Sequence, residues 1–337
     1  MKKSRFLTCL AALSLVMFPA VFATAGTAKA AEPRKMKLIL GTDASEDTVT
    51  QLFSLKFADL VKERSKGAMT VQVHANGTIG SDTDNIKNVK TTNGIHFAAQ
   101  TTAHQVTYVP EAALFDIPCP FKTIEEVRAA YNDEEFFKTI SAAYDKAGYR
   151  ILGYADQGFR VMSSNRNIEK LADFKGIKIR TMPNSNHLAF WKAIGANPTP
   201  MTFSEVYTSL QNGTIDAQEN PYEVIVGNKF YEQQKYVIAT NHLVHTLSLV
   251  TGKAFYTKLN DAEKQVIDSA VADAKVYACE QTDARIKDRV AIIEGAGAKV
   301  LGVSDELYKD MVDASQSVYQ AIEKQVGSEL FNKYLKR

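Results

Sequence analysis

Two arginines and a closing run of amides are the residues of this chain best suited to holding a ligand. Arg160 stands in Gly158-Phe159-Arg160, and Arg180 closes Lys178-Ile179-Arg180-Thr181-Met182-Pro183. A short strand ends at Arg180, and open α/β sheets bind their ligands beyond the C-terminal ends of strands. A guanidinium there offers a planar fork of N–H donors that matches a carboxylate. Polar residues recur after predicted strands in both halves of the chain: Asp43, Asp82 and Thr101 in the first, Arg160, Arg180, Asn184 and Asn220 in the second. Together they predict a site for a small organic acid bridged between Arg180 and Arg160, with Asn220 donating or accepting alongside. For any single arginine the competing reading is a solvated surface side chain. The recurrence favours a site.

Catalytic constellations are hard to find. Gly295-Ala296-Gly297 with Gly302 misses the dinucleotide spacing and follows a helix instead of a strand. His242-Leu243-Val244-His245 lacks nearby Cys or carboxylate ligands and reads as ordinary histidines between two strands. There is no Gly-x-Ser-x-Gly, Cys-x-x-Cys or His-Glu-x-x-His. No cofactor or metal is expected. The rival from another class is a secreted hydrolase using Asp43 and Asp82 as acid and base.

The elements that would position these residues read as alternating strands and helices. Met36 to Leu40 is a strand, with a helix from about Thr48 whose Phe53, Phe57, Leu60 and Val61 share one face. Met69 to His74 alternates as a strand, Gly80-Ser81-Asp82 caps a helix, and Ile95 to Ala99 is a strand. Ile124 to Tyr144 reads as one amphipathic helix, and Tyr149 to Tyr154 as a strand. A second α/β unit follows, with strands at Arg160 to Met162 and Ile177 to Arg180 and helices at Asn186 to Ile194 and Ser204 to Gln211. Further strands are predicted at Tyr236 to Ala239, Leu247 to Thr251 and Lys299 to Leu301. A helix capped at Asn260 runs without Pro or Gly to about Glu294, about 34 residues or about 50 Å. That length suggests a helix bridging two lobes. The opening β-α-β-α-β order describes a mainly parallel sheet with covering helices, and the fold class is α/β.

Met1-Lys2-Lys3-Ser4-Arg5, an apolar run from Phe6 to about Ala23, and Ala28-Lys29-Ala30 make a secretory signal peptide, with cleavage expected after Ala30. Removing residues 1–30 removes four basic residues and no acid, leaving 36 basic against 38 acidic side chains. The apparent basicity thus belongs to the export signal, and no nucleic-acid partner is indicated. About 300 remaining residues suffice for two cores, by the usual ~100–200 residues per domain. Cys119 and Cys279 are read as buried free thiols.

Met201-Thr202-Phe203-Ser204-Glu205-Val206-Tyr207, Leu210-Gln211-Asn212-Gly213 and Asp216-Ala217-Gln218-Glu219-Asn220-Pro221 resemble the signature of TRAP-transporter substrate-binding proteins, the receptors of tripartite ATP-independent periplasmic transporters. Gly195-Ala196-Asn197-Pro198-Thr199-Pro200 and Tyr231-Glu232-x-Gln234-Lys235-Tyr236 fit the same pattern, which covers essentially the whole exported chain. The resemblance implies a two-lobe periplasmic binding protein with hinge strands and a long helix spanning both lobes. Lobe I would hold residues 31–155 with roughly 246–285 returning to it, and lobe II residues 156–245 with roughly 286–337. Arg180 would be the ligand-carboxylate arginine, Arg160 and Asn220 its companions, and Phe203 a residue packed on the ligand. Asp82 and Asp43 would touch distal groups, and Thr101 stands where sialate-binding relatives carry an acid. His187 and Trp191 would shape the cleft, with plain core packing as the competing reading for Trp191. The implied function is binding a small carboxylate, a sugar acid or hydroxy/oxo acid before a C4-dicarboxylate, for delivery by a monomer to the membrane subunits of a TRAP transporter. A chemosensory receptor module is the third reading.

Overall fold

The computed structural model describes residues 32–91 and 94–335, so the predicted export signal lies outside the described residues. Nine strands form one sheet: β1 (Met36–Gly41), β2 (Met69–His74), β3 (Phe97–Thr101), β4 (Tyr149–Ser164), β5 (Lys178–Thr181), β6 (Asn197–Pro200), β7 (Ala217–Asn220), β8 (Tyr236–Gly252) and β9 (Lys299–Gly302). Their order is β2-β1-β3-β8-β4-β7-β5-β6, with β9 added alongside β8. β1 pairs in parallel with β2 and β3 at one end, and β5 pairs in parallel with β6 and β7 at the other. Between them β4 and β8 run antiparallel through the whole sheet. This is the two-lobe α/β architecture, with two long strands crossing from lobe to lobe.

Those crossing strands correct the sequence reading. Tyr149–Tyr154 and Arg160–Met162 are two ends of one strand, and so are Tyr236–Ala239 and Leu247–Thr251. The pair His242/His245 therefore sits inside β8 instead of between strands. Polar Asp156-Gln157-Gly158 breaks the apolar pattern between the two predicted strands, yet Asp156 and Gln157 are buried within the ladder. The register slips between Asp156 and Phe159, and Gly158 takes φ 78° there. Extra residues in one strand bend it, and glycine supplies the positive φ without strain.

The helix expected over Ile124–Tyr144 is two helices, Ile124–Tyr131 and Glu134–Ala147. The break occurs because the Asp133 carboxylate accepts from the Phe136 N–H at 2.8 Å and caps the second helix. The long helix forms as expected, over Asp261–Gly295. Asn260 and Glu263 cap it reciprocally, and Arg34 pairs with the buried Glu263 carboxylate at 2.7 Å. Its first half packs Val266, Ile267, Ala270, Val271 and Ala274 against Phe53, Phe57 and Leu249. Its last turns bring Ile293 to Val161, Val206 and Ile225 in another core. One helix thus buries side chains in the cores of both lobes.

Candidate functional site

A cleft of about 460 Å³, open solvent at its mouth included, lies where the segments after β1, β3, β5 and β7 converge. Asp43, Asp82, Gln100, Thr101 and His104 line it from the β1–β3 side; Arg180, Met182, Phe203 and Asn220 line it from the β5–β7 side. His245 contributes from β8. These are strand ends, the places where an α/β sheet leaves side chains free for a ligand.

Arg180 is 1% exposed. Its Nε and Nη2 donate to the Met201 carbonyl at 3.1 and 2.8 Å, which fixes the guanidinium plane. Phe203 covers it, with the ring centroid 5.8 Å away. Nη1 is buried with no hydrogen-bond partner among the described residues. Burial pushes the Arg180 pKa down to about 10, with Glu219 pulling the other way. The group still carries its charge at neutral pH. A buried cation with a free N–H is a costly arrangement that an anionic partner relieves.

Arg160 is also buried, but the structure does not bring it to the lining of the cleft. Its Nε and Nη2 donate to the Glu219 carboxylate at 2.5 and 2.9 Å, and Nη2 reaches Asn220 Oδ1 at 3.0 Å. Burial alone would raise Glu219, yet Arg160 and His242 outweigh it and hold the carboxylate well below its usual range. The charge of Arg160 is therefore already answered. What it does for the cleft is orient others. Asn220 is fixed by Arg160 and by Gln218 Oε1, to which its Nδ2 donates at 2.7 Å. His245 Nδ1 lies 2.5 Å from Arg160 Nη1, and since the guanidinium can only donate, Nδ1 must accept and the ring proton sits on Nε2. Burial, then Arg160, pushes His245 well below its usual pKa, which keeps that ring neutral.

Opposite these, Asp43 and Asp82 accept from each other's backbone N–H groups, at 3.3 and 3.0 Å. Burial and then the neighbouring Asp43 charge drive the Asp82 carboxyl well above its ordinary range. His104 is pushed down to about 4 by burial, so it too is neutral. Asp43, Asp82 and His104 hold one donor atom each within 4.8 Å of one another, the one such trio among the described residues. Gln100 is 1% exposed, and among the described residues neither its Oε1 nor its Nε2 has a hydrogen-bond partner.

Asn184 and His187 do not join the cleft. Asn184 caps the helix Ser185–Ala193 and donates to the Ala103 carbonyl and to Asp116; His187 Nε2 lies 3.1 Å from Asp116 Oδ1. Trp191 packs between Phe174, Phe190 and His242 in the core. Sequence reasoning missed Gln100, His104 and His245. Gln100 directly precedes Thr101 at the end of β3, and that adjacency was the available signal.

Residues 40–325 match the family model described as bacterial extracellular solute-binding protein, family 7. The 2,3-diketo-L-gulonate-binding periplasmic protein of Escherichia coli K12 is 31% identical over 78% of this chain and 80% of its own. The sugar acid binding protein of Advenella mimigardefordensis, solved in complex with galactonate, superposes with a TM-score of 0.85 at 29% identity, covering 90% of this chain and 98% of its own. A TRAP periplasmic solute-binding protein from Shewanella oneidensis with bound succinate gives a TM-score of 0.85 at 25% identity, covering 89% and 98%. With the match spanning most of the chain and the two-lobe fold shared, the protein belongs to the family 7 extracellular solute-binding proteins, the substrate receptors of TRAP transporters.

Proposed function

We propose that this chain is a periplasmic receptor for a small hydroxylated monocarboxylate, of the sugar-acid class, which it delivers to the membrane subunits of a TRAP transporter. The observation that carries the reading is Arg180: a fully buried guanidinium, oriented by Met201 and Phe203, whose Nη1 group has no partner among the described residues and lines the same cleft as Asn220. A ligand carboxylate accepting from Nη1 and from the Asn220 amide would relieve the buried charge. A neutral ligand would leave it unrelieved, so the same group selects for acids.

The other wall decides between kinds of acid. Asp43 and Asp82 are acceptors, and Gln100 and Thr101 can both donate and accept. Hydroxyl groups satisfy all four. A second carboxylate would face two acids in a buried space, and like charges there disfavour each other. Sugar acids therefore fit better than C4-dicarboxylates, although relatives of both kinds share the fold. The lobes would divide as residues 31–155 with 246–285, and 156–245 with 286–337. Closure over the ligand would bend β4 and β8 where their register slips. The N-terminal signal would direct export and be cleaved near Ala30, and a monomer would present the loaded receptor to the transporter.

Calorimetry of the protein lacking residues 1–30 against galactonate, 2,3-diketo-L-gulonate, succinate and galactose tests this. Galactonate or diketogulonate should bind well ahead of succinate, and galactose not at all. Succinate as the tightest ligand, or galactose equal to galactonate, overturns the reading.

A further inference from the structure

Arg285 and Arg289 stand about one turn apart on the long helix, outside the cleft, and both bind the same two acids. Their Nε atoms donate to Glu223 Oε1 at 2.9 and 3.0 Å, and their Nη2 atoms to Asp47 Oδ1 at 2.5 and 2.7 Å. Asp47 belongs to the loop after β1. Glu223 belongs to the helix Tyr222–Gly227 after β7. In the sheet β1 and β7 lie on opposite sides of the β8–β4 pair.

Both tied segments face the cleft, the first through Asp43, Ser45 and Thr48, the second through Val224 and Asn228. They also touch. Asn228 Nδ2 donates to Ser45 Oγ at 3.4 Å, and a Cβ on Gly227 would lie 2.9 Å from Ser45 Oγ and 3.0 Å from the Asp47 carbonyl oxygen. Any larger residue there would push the β1 loop away.

We propose that Arg285 and Arg289 are positioning residues: they clasp the β1 loop and the β7 helix together over the cleft and so set how long the ligand stays bound. This rests on the cleft being the ligand site, as proposed above. A molecule enclosed by the two segments leaves when they part, and parting them pulls Asp47 or Glu223 off the arginine pair. The two acids are not equal. The Glu223 side chain is 1% exposed and that of Asp47 59%. Removing Glu223 would strand a buried carboxylate, whereas Asp47 can be taken up by water as it lets go. The clasp opens at Asp47, with Glu223 staying on the helix.

Asp47→Asn tests this at the exposed partner, and keeps a side-chain oxygen that can accept from the buried Arg289. In the ligand-free protein, native-state amide exchange in residues 42–48 and 222–228 should accelerate together, roughly tenfold. Galactonate dissociation measured by stopped flow should also accelerate roughly tenfold, since loss of a charge pair acts mainly on release. The ranking of acids should not change. Arg285→Lys with Arg289→Lys keeps the charge but loses the fork, and should fall between wild type and the doubly neutral Arg285→Gln with Arg289→Gln (the Gln/Gln variant). Adding Asp47→Asn to the Gln/Gln variant should accelerate nothing further. Unchanged exchange in both segments for Asp47→Asn, or strictly additive effects, overturns the clasp. If the wild type ignores galactonate while exchange still rises in both segments, the clasp stands and the sugar-acid reading fails. If galactonate binds and Asp47→Asn alters neither exchange nor release, the sugar-acid reading stands and the clasp fails.

Discussion

Replacing Arg180 by methionine separates what the guanidinium does for the ligand from what it does for the fold. Burial lowers its pKa from 12.5 to about 10. At about 1.4 kcal/mol per pH unit, carrying the charge costs the ligand-free protein roughly 3 kcal/mol. That cost is present at every pH below about 10 and is relieved only as the pH rises from there towards 12.5. Methionine removes it but deprives the Met201 carbonyl of two donors, a loss of about 1–3 kcal/mol. The two effects nearly offset, so ligand-free Arg180→Met should lie within about 2 kcal/mol of wild type. Breaking a buried ion pair from one side ordinarily costs about 3–5 kcal/mol. Acid affinity should behave differently, falling by about 2–5 kcal/mol, or roughly 30-fold to several thousandfold. Urea unfolding without ligand and calorimetry with galactonate measure the two quantities separately. A stability loss above about 4 kcal/mol would show that the guanidinium is structural. Unchanged galactonate affinity would show that the carboxylate is held elsewhere.

Four further outcomes are expected. Asp82→Asn should raise the melting temperature at pH 7, because burial and Asp43 lift the carboxyl well above 3.8 and the folded state resists its ionisation; the gain should shrink as the pH falls through the folded pKa towards 3.8, and a pH-independent gain would refute the cause. The same variant should improve succinate binding relative to galactonate. Gln100→Leu should weaken galactonate by about 1–3 kcal/mol while leaving ligand-free stability unchanged or higher, since both amide atoms lack partners; unfolding that weakens as much as binding would assign Gln100 to the fold. Cys119 and Cys279 are free, and burial pushes both thiols up to about 12. Neither should react quickly with a disulfide reagent at pH 8, and both should titrate after denaturation; a count of zero would mean a bond between them.

The parts of the fold legible in the sequence are those where burial and polarity agree. Phe53, Phe57 and Val61 on a helical face, the Asn260 cap, and the alternation of β2 each put apolar atoms inside and polar atoms outside, so periodicity reports position. The cleft inverts that relation. β7 is Ala217-Gln218-Glu219-Asn220, buried at every residue, and its polar groups are satisfied by Ser163, Arg160 and His242 from distant segments. No local pattern marks such a strand, and it was recognisable only through a family signature. The same inversion hid the middle of β4, where Asp156 accepts from Arg128 and Cys279. It also explains why both Arg160 and Arg180 were expected at the ligand. In sequence each is an arginine at a strand; in the fold one faces Glu219 and the other a carbonyl, and only the second keeps a donor free. What distinguishes a ligand-binding charge from a structural one here is whether a counter-charge arrives from elsewhere in the chain, a long-range fact that residue type and spacing cannot encode.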